Sequence, residues 1–303
     1  MTKIRGIHHV TAISGAPQPN VDFFNGVLGQ KLVKKTVNFD DPGTYHLYYG
    51  DAAGNPGTIL TFFPFADAGR GKAGPGMASA YAYAIPTADF DRITNDMAVH
   101  GLTTAGAGLR FGERVVTLRD PDGAPVELIE SADASDTHGF HSVTLWERDP
   151  ERTLRLLTDV FGYRHLGTES EGTGERHRLV AEGSERGRFL DVIQVPGALP
   201  GRQGAGTIHH IAFRTKDDAE QAEWMDRLAS AGHRTTDVKD RQYFNAIYFR
   251  EPGGVLFEIA TDPPGFAIDE PAESLGRSLK LPQQYEPMRA RIERVLPPLR
   301  VPA

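Results

Sequence analysis

The chain has 303 residues, 39% apolar and 24% charged, with a net charge of -7, so it can bury one large or two ordinary cores and carries no basic excess for nucleic acid. It contains no cysteine, which excludes disulfides, thiolate nucleophiles, iron–sulfur clusters and thiolate metal sites, and leaves His, Asp and Glu as the strong ligands. The start has no apolar signal core and no segment approaches the roughly 18 apolar residues of a membrane span, so a cytoplasmic protein without membrane or nucleic-acid partners is expected.

In chain order, residues 4–14 read as a strand and 20–28 as a helix with Val21, Phe24, Val27 and Leu28 on one side, stopped by Gly29. Three β-rich runs follow, 31–39, 44–50 and 58–63, divided by Asp40-Asp41-Pro42-Gly43 and Asn55-Pro56-Gly57. This is a βαβββ unit. The glycine-rich stretch 69–76 lacks the strand-to-helix setting of a phosphate loop and reads as a flexible linker. A second unit has a strand at 78–85, a helix at 88–100 stopped by Gly101, and strands at 114–119 and 125–129 around Asp120-Pro121-Asp122-Gly123. The third runs from Phe140-His141-Ser142-Val143 through a helix at 150–161, stopped by Gly162, to a strand at 189–193. The fourth starts at His209-His210 and has a helix at 218–231, stopped by Gly232, and strands at 246–250 and 255–260. The tail, 263–303, is rich in proline and charge, with a helical stretch near 285–296, and is expected to pack as a cover. The expected fold is α+β: four βαβββ modules in two tandem domains, 1–130 and 139–262, plus the tail.

Self-comparison supports the repeat. The shift that carries Gly101 onto Gly232 also carries Met97 onto Leu228, Pro121 onto Pro252, Gly123 onto Gly254 and Glu127 onto Glu258, without a gap. The shift that carries Gly29 onto Gly162 carries Ile7 onto Phe140 and Val10 onto Val143. Under these shifts the doublets His8-His9 and His209-His210 separate into two kinds of residue. His8 falls on His141 and His9 on Ser142; His209 falls on Ala78 and His210 on Ser79. The second histidine of each doublet is therefore a serine in its sister unit. Strand alternation makes the same division, since His8 is in phase with Val10 and Ala12, whereas His9 is in phase with Thr11.

Glu258 stands in the apolar run Val255-Leu256-Phe257-Glu258-Ile259-Ala260, where an unpaired carboxylate would cost several kcal/mol. With His9 and His210 it completes a two-histidine, one-carboxylate set of the kind that leaves open positions on Fe(II). The equivalent set, Ser79, Ser142 and Glu127, should hold no metal, and Glu127 is expected in a structural role or an ion pair. His46 is expected to pack or to face solvent.

Beyond the modules and ligand positions, the phrases Tyr45-His46-Leu47-Tyr48-Tyr49, Arg110-Phe111-Gly112-Glu113-Arg114, Pro252-Gly253-Gly254-Val255-Leu256-Phe257-Glu258 and Ser274-Leu275-Gly276 resemble the vicinal oxygen chelate superfamily, and within it the dioxygenases that open para-hydroquinones. The resemblance implies Fe(II), with Mn(II) as a variant, held by His9, His210 and Glu258, and O2 as co-substrate. It implies His8, Thr11, His209, Arg241 and Tyr248 around a small aromatic substrate, and a homo-oligomer. Arg241 would stabilise a phenolate, and Tyr248 or His209 would donate or move a proton. Alternation turns His8 and His209 away from the metal, so that role requires a bulge. Other readings are a glyoxalase-type isomerase, which usually has four protein ligands, a catechol extradiol dioxygenase, and a metal-free small-molecule binding or resistance protein.

Overall fold

The computed structural model describes residues 2–102 and 106–301. The first module contains β1 (Ile7–Ser14), α1 (Pro17–Val21) continuing as a π-helix (Asp22–Val27), β2 (Lys31–Val37), β3 (Tyr45–Gly50) and β4 (Ile59–Pro64). The second contains β5 (Met77–Pro86), α2 (Thr87–Val99), β6 (Gly106–Arg110), β7 (Glu113–Arg119) and β8 (Pro125–Ser131). The third contains β9 (Phe140–Glu147), α3 (Glu151–Arg155) with a π-helical end (Leu156–Val160), β10 (Arg164–Glu171), β11 (Gly174–Val180) and β12 (Phe189–Gln194). The fourth contains β13 (Thr207–Thr215), α4 (Asp218–Ser230), β14 (Lys239–Asp240), β15 (Phe244–Arg250) and β16 (Leu256–Pro264), followed by α5 (Arg289–Val295) in the tail.

All four helices of the modules end at the expected glycines, Gly29, Gly101, Gly162 and Gly232, whose φ values of 67°, 72°, 80° and 84° belong to the left-handed region that terminates helices. The π-helical turns recur at equivalent places in the first and third modules, where adjacent Phe23-Phe24 and Leu156-Leu157 are all buried. Strands absent from the sequence reading are β6, rich in glycine; β10, where exposed charged residues mask the alternation; β11, whose Arg176 and Arg178 are charged yet buried; and the two-residue β14.

Modules pair across the chain, first with fourth and second with third. One sheet has the order β14-β15-β16-β13-β1-β4-β3-β2, the other β10-β11-β12-β9-β5-β8-β7-β6. At the centre of the first, β1 runs antiparallel to β13; at the centre of the second, β5 runs antiparallel to β9. Both sheets curl: Phe111 N, after β6, donates to Glu169 Oε1 of β10 at 2.7 Å although these lie at opposite ends of the second sheet. One apolar core runs through all four modules, with Phe24 against Phe62 (4.7 Å between centroids) and Trp224 against Phe161 (5.6 Å). None of the described helices is long and apolar enough to cross a membrane.

Two connections shape the site. The tail is tied to β2 and the loop after it by Lys34 Nζ, which meets Asp269 at 2.6 Å and Glu270 at 2.9 Å, and by the bond from Tyr285 Oη to Phe39 O (2.7 Å). The stretch 69–76, expected to be flexible, is instead a strap paired with 201–205. Lys72 and Arg202 exchange backbone hydrogen bonds of 2.8 Å, and a Cβ on Gly74 would lie 2.2 Å from Gly201 N. Its glycines serve close backbone approach, which composition alone does not distinguish from looseness. Gly74→Ala should therefore lower stability by about 1–3 kcal/mol in chemical denaturation; an unchanged midpoint would mean the strap is slack.

Candidate metal centre

His9 on β1, His210 on β13 and Glu258 on β16 converge where the three strands lie side by side. β1 pairs with β13, bringing Thr11 opposite His210, and β13 pairs with β16, bringing Ala212 opposite Glu258. One ligand atom from each residue lies within 4.8 Å of the others. His210 Nε2 is 2.8 Å and His9 Nε2 3.4 Å from Glu258 Oε2, and all three side chains are buried.

Two observations fit this set to a cation. Both carboxylate oxygens of Glu258 are buried without an aligned hydrogen bond despite the nearby ring nitrogens, as expected for donors aimed at a common point rather than at one another. Burial alone would raise the Glu258 pKa, but His9 and His210 outweigh it and hold the carboxyl well below its ordinary range. Burial lowers the His210 pKa in spite of Glu258, which favours the neutral imidazole over the imidazolium. An ionised carboxylate beside a neutral imidazole is the protonation state that metal binding needs.

The first histidine of each doublet lies beside the second. In the β1–β13 ladder, Ile7 pairs with Phe213 and His9 with Ala212, leaving His8 unpaired. Thr11 pairs with His210 and Ala12 with Ile208, leaving His209 unpaired. The two bulge residues are thus His8 and His209, and the extra residue overrides the alternation that would have turned them away. His8 Nδ1 is 2.9 Å from His9 Nδ1, and His209 Nδ1 is 2.7 Å from His210 Nδ1. For His9 and His210 to present Nε2 lone pairs, their Nδ1 atoms must carry the protons and donate them to neutral neighbours. Burial and the adjacent histidines lower both neighbours' pKa values, His8 well below its ordinary value and His209 to about 3.

Outside the triad is a cavity of about 360 Å³, within the range for small ligands. Thr11, His209, Arg241 and Tyr248 line it, with Phe39, Phe63, Phe65 and Phe244 as aromatic walls. Arg241 donates from Nε to Tyr248 Oη (3.2 Å) and stands 3.4 Å from Asp40 at the rim. Burial and Glu258 raise the Tyr248 pKa well above its ordinary value, with Arg241 opposing, so the phenol stays protonated. His8 does not line this cavity. It lies behind His9 against Phe244 (5.2 Å between centroids) and opens on a smaller pocket with Asn55 and Phe266. His46, expected to pack or face solvent, lies in the cavity wall.

The equivalent place in the second sheet is filled by ion pairs. Arg110 grips Glu127 through two hydrogen bonds of 2.6 and 2.8 Å. Arg178 reaches both Asp191 and Glu113 and stacks on Phe111 at 4.4 Å. His141 repeats the doublet geometry with Nδ1 3.1 Å from Ser142 Oγ. The ion pair expected of Glu127 is present; Ser142 and Ser79 stand where the first sheet has His9 and His210, and Arg110 on β6 supplies the positive charge instead.

Comparison with known proteins adds to this geometry. The sequence model of the Glyoxalase/Bleomycin resistance protein/Dioxygenase superfamily matches residues 6–128 and 139–259. The chain is 44% identical to the Bacillus subtilis protein named "Putative ring-cleaving dioxygenase MhqO", covering 99% of this chain and 98% of that one. It is 32% identical to the Chlorohydroquinone/hydroquinone 1,2-dioxygenase of Sphingobium indicum, over 97% and 96% of the two chains. A crystal structure titled "putative dioxygenase" from Bacillus subtilis matches with a TM-score of 0.93 at 44% identity, covering 100% and 99%. Glyoxalase I from Zea mays shares the fold, with a TM-score of 0.66 at 17% identity over 85% and 92%.

Two outcomes follow from the contrast between the sheets. His210→Ala should abolish retention of a divalent metal measured by elemental analysis after gel filtration, whereas Ser79→Ala should retain it; equal losses would mean that the sheets are not distinguished. Arg110→Leu, which strands Glu127, should cost about 3–5 kcal/mol of stability in denaturant unfolding and leave metal content unchanged.

Proposed function

The chain belongs to the Glyoxalase/Bleomycin resistance protein/Dioxygenase superfamily, and on that footing we propose that it is a non-haem Fe(II)-dependent dioxygenase that cleaves the ring of a hydroquinone-type substrate with both atoms of O2. The observation that carries the reading is the triad His9, His210 and Glu258, two of whose members, His9 and His210, line a cavity with aromatic walls. Full-length relatives whose names specify ring-cleaving and hydroquinone 1,2-dioxygenase activity support it. The homo-oligomer, the cytoplasmic setting and Fe(II) rather than Mn(II) are parts of the same proposal.

In this reading His9, His210 and Glu258 hold the metal on one face. Bound there, Fe(II) supplies open positions for a substrate oxygen and O2 and a redox-active centre between them. The rest is the work of the chain's own side chains. Phe39, Phe63, Phe65 and Phe244 offer apolar walls to a flat ring, and a ring bound among them would displace water and strengthen the charges around it. Arg241 provides a fixed positive charge for a phenolate oxygen, and its bond to Tyr248 Oη aims both groups into the cavity. Tyr248, kept protonated, donates from Oη. Neutral His209, whose Nδ1 accepts from His210, carries its proton at Nε2 and can donate it to an oxygen in the cavity.

A glyoxalase-type isomerase would ordinarily need a fourth protein ligand, and the metal-ligating group among the described residues has three members. The test is anaerobic loading with Fe(II), followed by oxygen-uptake assays with hydroquinones, catechols and methylglyoxal–thiol adducts. Uptake with hydroquinones alone is expected. Uptake with catechols, or isomerisation of the thiol adduct, would replace the proposal, and failure to bind any divalent metal would overturn it.

A further inference from the structure

One wall of the cavity carries four polar side chains in a row. Tyr48 Oη lies 2.9 Å from His46 Nδ1, His46 Nε2 lies 2.9 Å from Thr61 Oγ1, and Thr61 Oγ1 lies 2.9 Å from Thr11 Oγ1. Sheet register accounts for the row. β3 pairs Tyr48 with Thr61, β1 pairs Thr11 with Thr61, and His46 sits two residues before Tyr48 on the same face of β3, with their rings 4.0 Å apart. Thr11, His46 and Tyr48 line the cavity, while Thr61 is fully buried behind them.

The hydrogens in this row can be counted. Burial, reinforced by His9, His210 and Arg241, lowers the His46 pKa well below its ordinary value, so the ring is neutral and has one N–H. With three hydroxyls the row holds four donor hydrogens for three hydrogen bonds. Thr61 must donate either to Thr11 or to His46, and that choice fixes the rest. If it donates to Thr11, the bonds run from Tyr48 through His46 and Thr61, and the Thr11 O–H is left over. If it donates to His46, the bonds run the other way and the Tyr48 O–H is left over. Neither end oxygen has another hydrogen-bond partner among the described residues. In either polarity, therefore, one end offers a free donor to the cavity and the other an oxygen with free lone pairs.

We propose that the row Tyr48–His46–Thr61–Thr11 recognises a second hydroxyl on the substrate ring, the one not held at His9, His210 and Glu258, and so selects dihydroxylated over monohydroxylated rings. A ring hydroxyl can accept from the free donor or, with the row inverted, donate to the free oxygen. A ring hydrogen can do neither, and leaves a buried donor unpaired. A polar group built to meet a substrate hydroxyl discriminates strongly against the analogue that lacks it, so at least a roughly tenfold preference is expected. The inference rests on the reading of the cavity as an aromatic-substrate site, and deepens it by naming the residues that read the second hydroxyl.

The test is calorimetric titration of the Fe(II)-loaded protein with hydroquinone and with phenol in the absence of oxygen. The native protein should prefer hydroquinone at least roughly tenfold. Tyr48→Phe, which removes one end, and Thr61→Val, which breaks the row without touching the cavity, should retain metal, melting temperature and phenol affinity while the preference falls to about threefold or less. Thr61→Ser should restore it, which a purely structural role for Thr61 would not require. If Thr61→Val fails to fold, Tyr48→Phe carries the same comparison. An undiminished preference in folded, metal-bound variants, or no preference in the native protein, overturns the inference. A native protein that prefers hydroquinone but consumes no oxygen with it would overturn the dioxygenase proposal and leave the inference standing.

Discussion

The antiparallel pairing of β1 with β13 is the constraint on which the molecule depends. It joins the first module to the fourth across some two hundred residues of chain and places His9 and His210 on neighbouring strands, with Glu258 one strand further on. The long-range closure required for this pairing is stabilised by a core shared among all four modules rather than by local contacts. Its two bulges shape the centre itself. Each inserts one histidine beside another, so that a ligand candidate and the group that sets its tautomer come from adjacent positions on one strand.

The same architecture is built twice, and the two copies solve one electrostatic problem differently. A carboxylate on the last strand of a module is buried in each sheet: Glu127 in one, Glu258 in the other. Buried carboxylates need positive charge. The second sheet meets the need with Arg110, and a network of Arg176, Arg178, Asp191 and Glu113 fills the surrounding space. The first sheet brings two histidines to the carboxylate and keeps a cavity in front of them. Guanidinium groups bring their own charge and volume, so that copy is closed; imidazoles are neutral ligands, so a cation and an adjacent ligand can be accommodated.

The cavity is held open by elements outside the sheet. Phe39 and Asp40 lie at its rim, and the tail reaches them through Tyr285, while Lys34 ties the tail back to β2. Arg241 follows β14 and faces Asp40 across the mouth. The edges of this sheet thus meet through charged side chains at 3.4 Å, whereas the second sheet is closed by Phe111 and Glu169.

Much of this was legible in the amino-acid order. Four βαβββ units, their glycine stops and the separation of His9 and His210 from their sister serines follow from periodicity and register, because strand and helix patterns are local and a duplicated chain carries its own comparison. Glu258 declared itself as a carboxylate in an apolar run. What alternation missed were features decided between strands. A bulge is a property of a pair, so the orientation of His8 and His209 is invisible in either strand alone. The glycines at 69–76 read as loose until 201–205 is laid against them; β10 hides behind exposed charges, and β11 behind Arg176 and Arg178, which are buried only because Asp191 and Glu113 on other strands meet them. His46 looked ordinary for the same reason: its neighbours Thr61 and Thr11 lie in other strands, and only the sheet joins them in one row. Local sequence determined the elements and the residue types available for chemistry; tertiary structure alone decided which of them face one another, because contacts across a sheet are set by register and not by nearness in the chain.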